Sequence, residues 1–444
     1  GKTYTFHIRE DAKWTNGDPV TAQDFVFAWK RLLNPDTASP AAFLGYSIAG
    51  AEAYNTGEGS ADGVQVKAED DKTFVVTLVS PQPTFLNVIT NPCFFPINEK
   101  VATDNPDWFK EAKTFVGNGP FKLTEWDHNS QMVMEKNENY WDADTVKLDK
   151  VTWAMVNDTN TEYQMFQSGQ LDESDVPADL SDQLFKEGKV KVEPQAGIEF
   201  YRFNTTMEPF QNENIRKAFS LAVDQEQLIQ YVIKSQEQPA HAFVSPGLSD
   251  PAGSDFREVG GNDYNKFNAD EAKKLLKKGM EEEGYSKLPQ ITLTYSTDDV
   301  NKKVAEALQQ QFKEVLGVDV KLANMEWNVF SDAQKKLKLQ FSRSSFLADY
   351  ADPLNYLVSF TTDSTMNRTG WSNKEYDSLI DKANKEVDEK KRYEYLHQAE
   401  DILFDEAPIF PIKFYDQEYL QNDSVKDVVR HPVGYLDLKW ADIQ

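Results

Sequence analysis

Residues 291–322 constrain the fold of this chain more than any other stretch. Residues 291–295 have the apolar, β-branched character of a strand, residues 300–316 repeat apolar positions at helical spacing, and residues 318–322 again have a strand pattern. Two strands joined by a helix of this length pair in parallel, because a parallel connection needs a crossover of a dozen residues or more. The stretch therefore predicts a βαβ unit.

The rest of the chain mixes strands and helices. A capping box at residues 21–24 predicts the start of an amphipathic helix. Residues 212–233 show two helical patterns around Asp224, and residues 376–404 show one. Strands are expected at residues 64–79 (two, joined at Asp70-Asp71), 121–126, 151–156, 200–203 and 409–415. No fixed-period repeat is present, so the predicted fold class is α/β with several subdomains.

Composition excludes several classes of function. The formal net charge of −26 is the reverse of the basic balance that nucleic-acid-binding proteins show. One cysteine, Cys93, permits no intrachain disulfide, and five scattered histidines offer no zinc-binding spacing. No run approaches the ~18 apolar residues of a membrane span, and no glycine-rich nucleotide loop or nucleophile elbow is present. We therefore expect neither a cofactor nor a metal.

The first residues have the pattern of a domain that has already begun. Gly1 and Lys2 lead directly into the alternating residues 3–8, without an initiator methionine, a charged leader or an apolar leader segment. We expect the chain to be processed or a fragment, so a signal peptide is not excluded.

A candidate binding element lies at residues 343–353. The extended segment 338–346 is followed there by two carboxylates before Pro353. An exposed edge strand offers unpaired N–H and C=O groups to an incoming peptide, while Asp349 can hold the ligand's ammonium group and Arg343 its carboxylate. The alternative is an ordinary strand followed by an Asx-Pro turn.

Evidence for an enzyme is weak in the residues themselves. Asp349 and Asp352 resemble a glycosidase pair only in type, because a loop that ends at a proline leaves their spacing open. His241 lies in an apolar stretch without a nearby nucleophile or acid and is better interpreted as a packed loop residue. Trp327 lies where a strand passes into a helix, and either a cleft or a core position fits it.

A series of short stretches, spread over nearly the whole chain, carries a family resemblance: residues 5–14, 18–25, 34–40, 117–121, 138–141, 209–218, 224–225, 348–350 and 431–440. Through them the chain resembles the peptide-binding proteins of ABC importers, the OppA/DppA family of extracytoplasmic solute receptors. Within that family it is most similar to DppE-type lipoproteins of Bacillus-like bacteria, which bind dipeptides or murein tripeptide.

The resemblance implies a bilobal periplasmic-binding-protein fold of class II, in its three-domain peptide-receptor form with mixed sheets, whose two lobes close over the ligand by a hinge motion. It places residues 1–96 in a small domain II, 97–197 in part of domain I, 198–415 in domain III and 416–444 in a return to domain I. A first segment of domain I, with a lipid-bearing cysteine, would then lie outside this chain.

The family's site residues carry over position by position. The resemblance implies that Asp349 binds the peptide's α-amino group, that Arg343 binds a carboxylate, and that residues 345–347 pair with the peptide backbone. The remaining candidates from the resemblance are Ser345 and Leu347 in the pairing segment, the cleft aromatics Trp327 and Phe346, and the cleft-wall residue Tyr415. Asn204, at the end of the 200–203 strand, is a further ligand-binding candidate.

Some positions depart from the enterobacterial oligopeptide receptors. Ala41 replaces a cleft tyrosine, Asn301 a histidine and Arg202 an acidic residue. Together with Arg343 and Arg368, Arg202 would give the site an excess of positive charge, suited to a ligand with extra carboxylates such as the murein tripeptide L-Ala-γ-D-Glu-meso-diaminopimelate. The alternative is that Arg202 or Arg368 pairs with one of the many surface acids.

The resemblance implies a receptor without catalytic activity, which binds short peptides between two lobes and delivers them to a membrane ABC permease. Its partners would be the peptide and the permease, with no nucleic acid, and the protein would be a monomer that contacts the membrane only through a lipid anchor outside this chain. The expected location is extracytoplasmic, on the surface of a Gram-positive cell or in the periplasm of a Gram-negative one. The alternative function is a secreted hydrolase acting on peptides or glycans.

Overall fold

The computed structural model describes residues 1–444 and divides into two compact units. The first unit comprises residues 1–191, 418–431 and 435–444, and the second comprises residues 192–417 and 432–434. The main passages of the chain between the units fall within two long strands, Lys191–Phe203 and Ile409–Gln421. The expected division into domains, with boundaries at 96/97, 197/198 and 415/416, stays a prediction.

The strands form several separate sheets. In chain order they are β1 (Thr3–His7), β2 (Val66–Asp70), β3 (Thr73–Thr77), β4 (Phe121–Asp127), β5 (Gln131–Lys136), β6 (Lys150–Ala154), β7 (Glu173–Asp175), β8 (Lys191–Phe203), β9 (Ile291–Ser296), β10 (Val320–Met325), β11 (Phe341–Leu347), β12 (Ile409–Gln421), β13 (Val425–Lys426), β14 (Val429–Arg430), β15 (Leu436–Asp437) and β16 (Asp442–Ile443). The strands expected from the sequence pattern are present as β2 with β3, β4, β6, β8 and β12.

The α-helices lie between these strands. In chain order they are α1 (Ala22–Leu33), α2 (Ala51–Asn55), α3 (Phe85–Val88), α4 (Glu99–Asp104), α5 (Thr159–Gln167), α6 (Ser181–Lys186), α7 (Glu213–Leu221), α8 (Gln225–Gln227), α9 (Phe256–Gly260), α10 (Ala269–Glu283), α11 (Asp299–Leu316), α12 (Trp327–Lys335), α13 (Pro353–Leu357), α14 (Lys374–Lys385) and α15 (Glu389–Glu406). No helix combines the length and the apolar character that crossing a membrane requires.

The first unit is built on small antiparallel sheets. One has the strand order β1-β3-β2 and another the order β4-β5-β6. Tyr419–Gln421, at the end of β12, pairs with β7, and the last short strands pair β13 with β16 and β14 with β15. Helix α1 starts with the predicted capping box, in which Asp24 Oδ2 accepts the N–H of Thr21 (2.9 Å).

The predicted βαβ unit is confirmed in the second unit. Strands β9 and β10 pair in parallel, with Ile291 opposite Val320, and α11 crosses between them. The α11 N-terminus is satisfied by Asp298, whose side chain accepts the N–H groups of Val300 (2.9 Å) and Asn301 (3.0 Å).

One helix prediction is wrong. The single helix expected over residues 376–404 is two helices, α14 and α15, because the side chain of Asp388 accepts the N–H of Lys391 (3.0 Å) and caps a new helix. The two helical patterns expected around Asp224 are confirmed. Helix α7 ends before Asp224, and the Asp224 side chain accepts the N–H of Gln227 (2.9 Å) at the start of α8.

The central sheet of the second unit has apolar clusters on both faces. Its strand order is β10-β9-β11-β8-β12. Alternate residues of β8 enter different clusters, with Ile198 and Phe200 in one and Tyr201 and Phe203 in the other. Successive side chains of a strand point to opposite faces, so each cluster covers one face. This layered arrangement confirms the α/β class and leaves strand edges and strand ends as the places where a ligand can reach the sheet.

Candidate functional site

Strand β11 has an edge that no other strand covers. Along its whole length, from Phe341 to Leu347, it pairs antiparallel with β8. On its other side, β9 pairs with it only at Phe341 and Ser342. From Arg343 onward, the second edge of β11 is therefore open.

Hydrogen bonds to β8 show which backbone groups face this open edge. The N–H of Asn204 donates to the carbonyl of Gln340 (2.9 Å), and the N–H of Ala348 donates to the carbonyl of Ala196 (2.8 Å). Backbone groups along an antiparallel strand point alternately toward and away from the partner strand, so the even-numbered residues here bond to β8. The residues whose backbone groups point to the open edge are Arg343, Ser345 and Leu347.

Gln334 of α12 already occupies one of these groups. Its Nε2 donates to the carbonyl of Arg343 (2.8 Å) and to Ser342 Oγ (2.9 Å). Ser345 and Leu347 keep backbone groups without a strand partner. An extended peptide adds to a sheet through such groups, and this edge coincides with the segment 345–347 that the sequence singled out for pairing.

Phe346 does not line the open edge. Its side chain is 8% exposed and packs against Tyr356 (ring centroids 4.7 Å apart) and Phe243 (6.3 Å). It points to the covered face of the sheet, because neighbouring side chains of a strand alternate between faces. The expectation that Phe346 is a cleft aromatic is therefore corrected: its ring belongs to the apolar core.

The side chains beside the open edge lie over a glycine of β8. A Cβ placed on Gly197 would lie 2.5 Å from Leu347 Cδ2 and 2.6 Å from Tyr415 Cδ2, so only glycine permits this packing. The Tyr415 hydroxyl lies near the Ser345 side chain, which acts to lower the pKa of Tyr415. Burial, with the nearby charge of Glu199, raises the pKa of Tyr415 to about 12, so the hydroxyl keeps its proton at neutral pH.

Arg343 is already paired with an acid. Its Nε donates to Glu199 Oε1 (3.3 Å) and its Nη2 to Glu199 Oε2 (3.0 Å), and the two side chains are only 15% and 7% exposed. Burial acts to lower the pKa of Arg343, but the charge of Glu199 outweighs burial and raises the pKa above its ordinary value. A carboxylate that reached Arg343 would therefore meet a guanidinium that is held in place and neutralised by Glu199.

Asp349 follows β11 at the end of the open edge. Its N–H donates to Asn355 Oδ1 (2.7 Å), and the Asn355 side chain also bonds to its carboxylate. Burial raises the pKa of Asp349, and the bond from Asn355 acts in the opposite direction. The carboxylate is half-buried and held in one orientation, which suits it to bind an ammonium group.

The three arginines do not form the single group that the sequence suggested. Arg343 lies on one face of the sheet with Glu199. Arg202 lies on the other face, where its Nε donates to Ser344 Oγ (2.9 Å), and Arg368 lies near it. Residues 343 and 344 must point to opposite faces because strand side chains alternate, so Arg343 is separated from the other two by the sheet itself.

Two asparagine candidates have structural bonds. The Asn204 Nδ2 donates to the carbonyls of Leu337 (2.9 Å) and Leu339 (3.1 Å), which holds the turn into β11. The Asn301 Nδ2 donates to the carbonyl of Ser296 (3.1 Å). Both asparagines are buried, so their side chains shape the site through neighbouring backbone.

Trp327 lies where a strand end meets a helix. It is the first residue of α12, separated by one residue from the end of β10, and its side chain is 54% exposed. Crevices in α/β sheets form outside the carboxyl ends of parallel strands, where β9 and β10 end here. Its exposure is that of a cleft residue rather than a core residue, while contact with a ligand stays a prediction.

The second carboxylate of the 343–353 run has a structural role. Asp352 Oδ1 accepts the N–H of Leu354 (2.9 Å) to cap α13 and pairs with Arg392 Nη2 (2.6 Å), with both charged side chains 4% exposed. Asp352 is thus not available as the partner of Asp349 in a glycosidase pair. His241 is also buried, and its Nε2 lies 3.3 Å from Glu226 Oε1. No group of acidic, histidine and cysteine side chains has the arrangement of a metal site.

Reasoning from the sequence missed several residues of the site. Glu199 holds Arg343, Gln334 bonds to the strand edge, and Asn355 holds Asp349. Gly197 makes room for the side chains of Leu347 and Tyr415. None of these four residues was a candidate from the sequence. Asn355 had a signal, because the Asp352-Pro353 turn predicts a helix start that brings its first turn close to Asp349. Glu199 and Gly197 had none, since they reach the site only through strand pairing over long sequence distances.

Comparisons with known proteins show the family. The family of bacterial extracellular solute-binding proteins, family 5 Middle, matches residues 1–368. The chain belongs to this family. It is accordingly an extracytoplasmic solute receptor and not an enzyme, which confirms that prediction and rejects the hydrolase alternative.

Similar proteins extend over nearly the whole chain. The dipeptide-binding protein DppE of Bacillus subtilis is 64% identical over 441 residues, which cover 99% of this chain and 81% of that protein. The substrate-binding domain of an oligopeptide ABC transporter from Bacillus anthracis has a TM-score of 0.77 at 34% identity and covers 100% of this chain and 88% of its own. The murein tripeptide binding protein MppA, in its unliganded open form, has a TM-score of 0.83 at 30% identity, and the match covers 100% of this chain and 86% of the MppA chain. These likenesses confirm the predicted binding-protein fold.

Proposed function

We propose that this receptor binds short peptides along the open edge of β11 and delivers them to a membrane ABC permease. The observation that carries the proposal is an uncovered strand edge that ends at a half-buried, oriented carboxylate, Asp349. The peptide's amino group binds Asp349, and its backbone pairs with the N–H and C=O groups of Ser345 and Leu347. The names of the related proteins, which bind dipeptides, oligopeptides or murein tripeptide, support this assignment.

The anchor sets the direction of the ligand. A peptide whose amino terminus lies at Asp349 and that follows the edge runs back toward Arg343, antiparallel to β11. At ~3.4 Å per residue, a tripeptide covers about 10 Å of the edge, so its carboxyl end comes within reach of the long Arg343 side chain. Because the backbone is recognised, most side chains can be accepted, and the charges at the two ends fix the position of the peptide on the edge.

Partners and location follow from the same assignment. We place the receptor on the outer face of the cytoplasmic membrane of a Gram-positive bacterium, as a monomer held by a lipid anchor outside this chain. The high identity to a Bacillus subtilis protein supports this placement. The ligand is passed to the permease without cleavage.

The murein tripeptide is the ligand that we propose. Its three free carboxylates and two ammonium groups suit an edge with an anchoring acid at one end and arginines on both faces of the sheet. Likeness to MppA, a murein tripeptide binding protein, supports the choice. Arg343, with Glu199 beside it, lies where the carboxyl end of the tripeptide arrives.

Isothermal titration calorimetry tests function and ligand together. We expect Ala-Ala-Ala to bind, N-acetyl-Ala-Ala-Ala to bind at least about tenfold more weakly because acetylation removes the ammonium charge, and murein tripeptide to bind at least about tenfold more tightly than Ala-Ala-Ala. Failure of both free-amino peptides to bind would reject the function. Equal or weaker binding of murein tripeptide would reject that ligand alone.

Peptide affinity is also expected to fall on acidification. Burial raises the pKa of Asp349 above its ordinary value of 3.8, so the carboxylate of the free receptor takes up a proton at a higher pH than an exposed aspartate does. The protonated form has no charge to hold an ammonium group, and the dissociation constant rises as pH falls through that raised pKa. Calorimetry between about pH 7 and about pH 4 measures the effect. An affinity that stays constant until the ordinary aspartate range is reached would contradict it.

A further inference from the structure

Arg202 and Arg368 form a basic pair that has no acidic partner. Three other buried arginines of the second unit form ion pairs with an acid: Arg257 with Glu400, Arg343 with Glu199 and Arg392 with Asp352. Neither Arg202 nor Arg368 has a carboxylate within ion-pair distance, although the chain has 73 acidic residues against 47 basic ones. Arg216 is also buried without an ion pair, but backbone carbonyls accept its guanidinium donors, so Arg202 and Arg368 differ from it in having donors to spare.

Arg202 is buried and held in a defined orientation. Its side chain is 4% exposed, and its guanidinium carbon lies 5.0 Å from the ring centroid of Phe200 and 5.6 Å from that of Phe360. Its Nε donates to Ser344 Oγ and its Nη1 to the Met366 carbonyl (2.8 Å), while its Nη2 makes no hydrogen bond within the protein. A guanidinium with donors to spare is thus presented in a site of low dielectric.

Arg368 has still fewer bonds. Its single hydrogen bond runs from Nη1 to Gln334 Oε1, at 3.4 Å, and its buried Nε has no partner. Burial lowers the pKa of Arg368, and burial together with the charge of Arg368 lowers the pKa of Arg202 to about 9. Two like charges that are partly removed from water cost free energy, which a bound anion would offset.

The basic pair lies beside the open edge of β11. Gln334 joins the two places, because its Oε1 accepts from Arg368 while its Nε2 donates to the carbonyl of Arg343. Arg202 contacts Ser344 on the face of β11 opposite to the Arg343 side chain. A peptide strand on this edge sends successive side chains to alternate faces, so one of them is directed to the face on which the basic pair lies.

We propose that Arg202 and Arg368 bind a second carboxylate of the ligand, on the sheet face opposite Arg343, and so select peptides that carry an acidic side chain after their first residue. The inference rests on the proposed function. The spare Nη2 donors of the two arginines match the oxygens of a carboxylate, and Gln334 sets the distance from the strand edge to Arg368. The terminal carboxylate and the acidic side chain are then read on different faces of one sheet.

Calorimetry with two matched peptide pairs tests the subsite. Wild-type protein is titrated with Ala-Glu-Ala against Ala-Gln-Ala and with Ala-Ala-Glu against Ala-Ala-Gln. We expect the glutamate peptide of at least one pair to bind roughly 10- to 100-fold more tightly than its glutamine counterpart. Arg368→Gln, at a partly buried position, should bring that ratio close to one by weakening the glutamate peptides far more than the glutamine peptides.

Two further variants separate a ligand role from a structural one. Arg368→Lys keeps the positive charge and should keep part of the glutamate preference. Lys335→Gln removes an exposed charge one residue from Gln334 and should leave the ratio unchanged. The subsite is rejected if wild type binds the glutamate and glutamine peptides equally, or if Arg368→Gln retains the preference or weakens both kinds of peptide alike. If the wild-type protein binds none of these peptides, the proposed function is rejected together with the subsite. Equal binding of the glutamate and glutamine peptides rejects the subsite alone, so the two failures can be told apart.

Discussion

Replacing Asp349 with alanine is expected to weaken the binding of Ala-Ala-Ala by about 3 to 5 kcal/mol, which is roughly two to four orders of magnitude in the dissociation constant. The substitution leaves the ligand's ammonium group desolvated at the strand end without an opposing charge. Asn355, which orients the carboxylate, is neutral and offers no replacement charge. Isothermal titration calorimetry at neutral pH measures the loss.

A matched control removes a different acid from the same unit. Asp363→Ala, at an exposed position without a predicted role, should bind Ala-Ala-Ala as wild type does. N-acetyl-Ala-Ala-Ala provides a second control, because a ligand without an ammonium charge should lose little more when Asp349 is removed. A loss below about tenfold for the free-amino peptide would show that another group holds the amino terminus.

Replacing Glu400 with glutamine is expected to destabilise the protein by about 3 to 5 kcal/mol. Glu400 is fully buried; it accepts two hydrogen bonds from Arg257 (2.7 and 2.6 Å) and the backbone N–H groups of Phe243 (3.0 Å) and Val244 (2.9 Å). Glutamine leaves the Arg257 charge unpaired and turns a donor toward other donors. Denaturant unfolding and thermal melting measure the effect, with a fall in melting temperature of roughly 6 to 20 °C.

An exposed ion pair is the control for this stability experiment. Asp381→Asn breaks the pair with Lys385 on the surface of α14, where the two side chains are 63% and 58% exposed. Solvent screens such a pair, so the expected loss is below about 0.5 kcal/mol. Similar losses for Glu400→Gln and Asp381→Asn would overturn the expectation that breaking the buried pair costs far more than breaking an exposed one.

The secondary structure around the βαβ unit could be predicted from local patterns. The helix at residues 299–316 follows from apolar spacing, and β9 and β10 follow from their β-branched residues. The break at Asp388 was missed because apolar periodicity continues on both sides of it. A single side chain that caps a helix does not interrupt that periodicity.

The candidate site could be predicted in part. The strand, the turn and Asp349 lie within eleven consecutive residues, and local pattern together with family resemblance marked them. Glu199, Gly197 and Gln334 were missed because they join the site only when β8 and α12 pack against β11. Phe346 was expected in the cleft but lies in the apolar core, because the sequence does not say which face of a strand packs against the core.

By itself, the sequence determined the α/β class and the receptor family and pointed to Asp349 as the proposed anchor, because each depends on local spacing or on likeness along the chain. Only the tertiary structure decided how the charges are grouped. Arg202 and Arg343 lie on opposite faces because β8 pairs with β11 in a register that sets Ser342 opposite Arg202 and Tyr201 opposite Arg343. Strand side chains alternate with a period of two, so a shift of one residue in this long-range pairing would have put both arginines on one face.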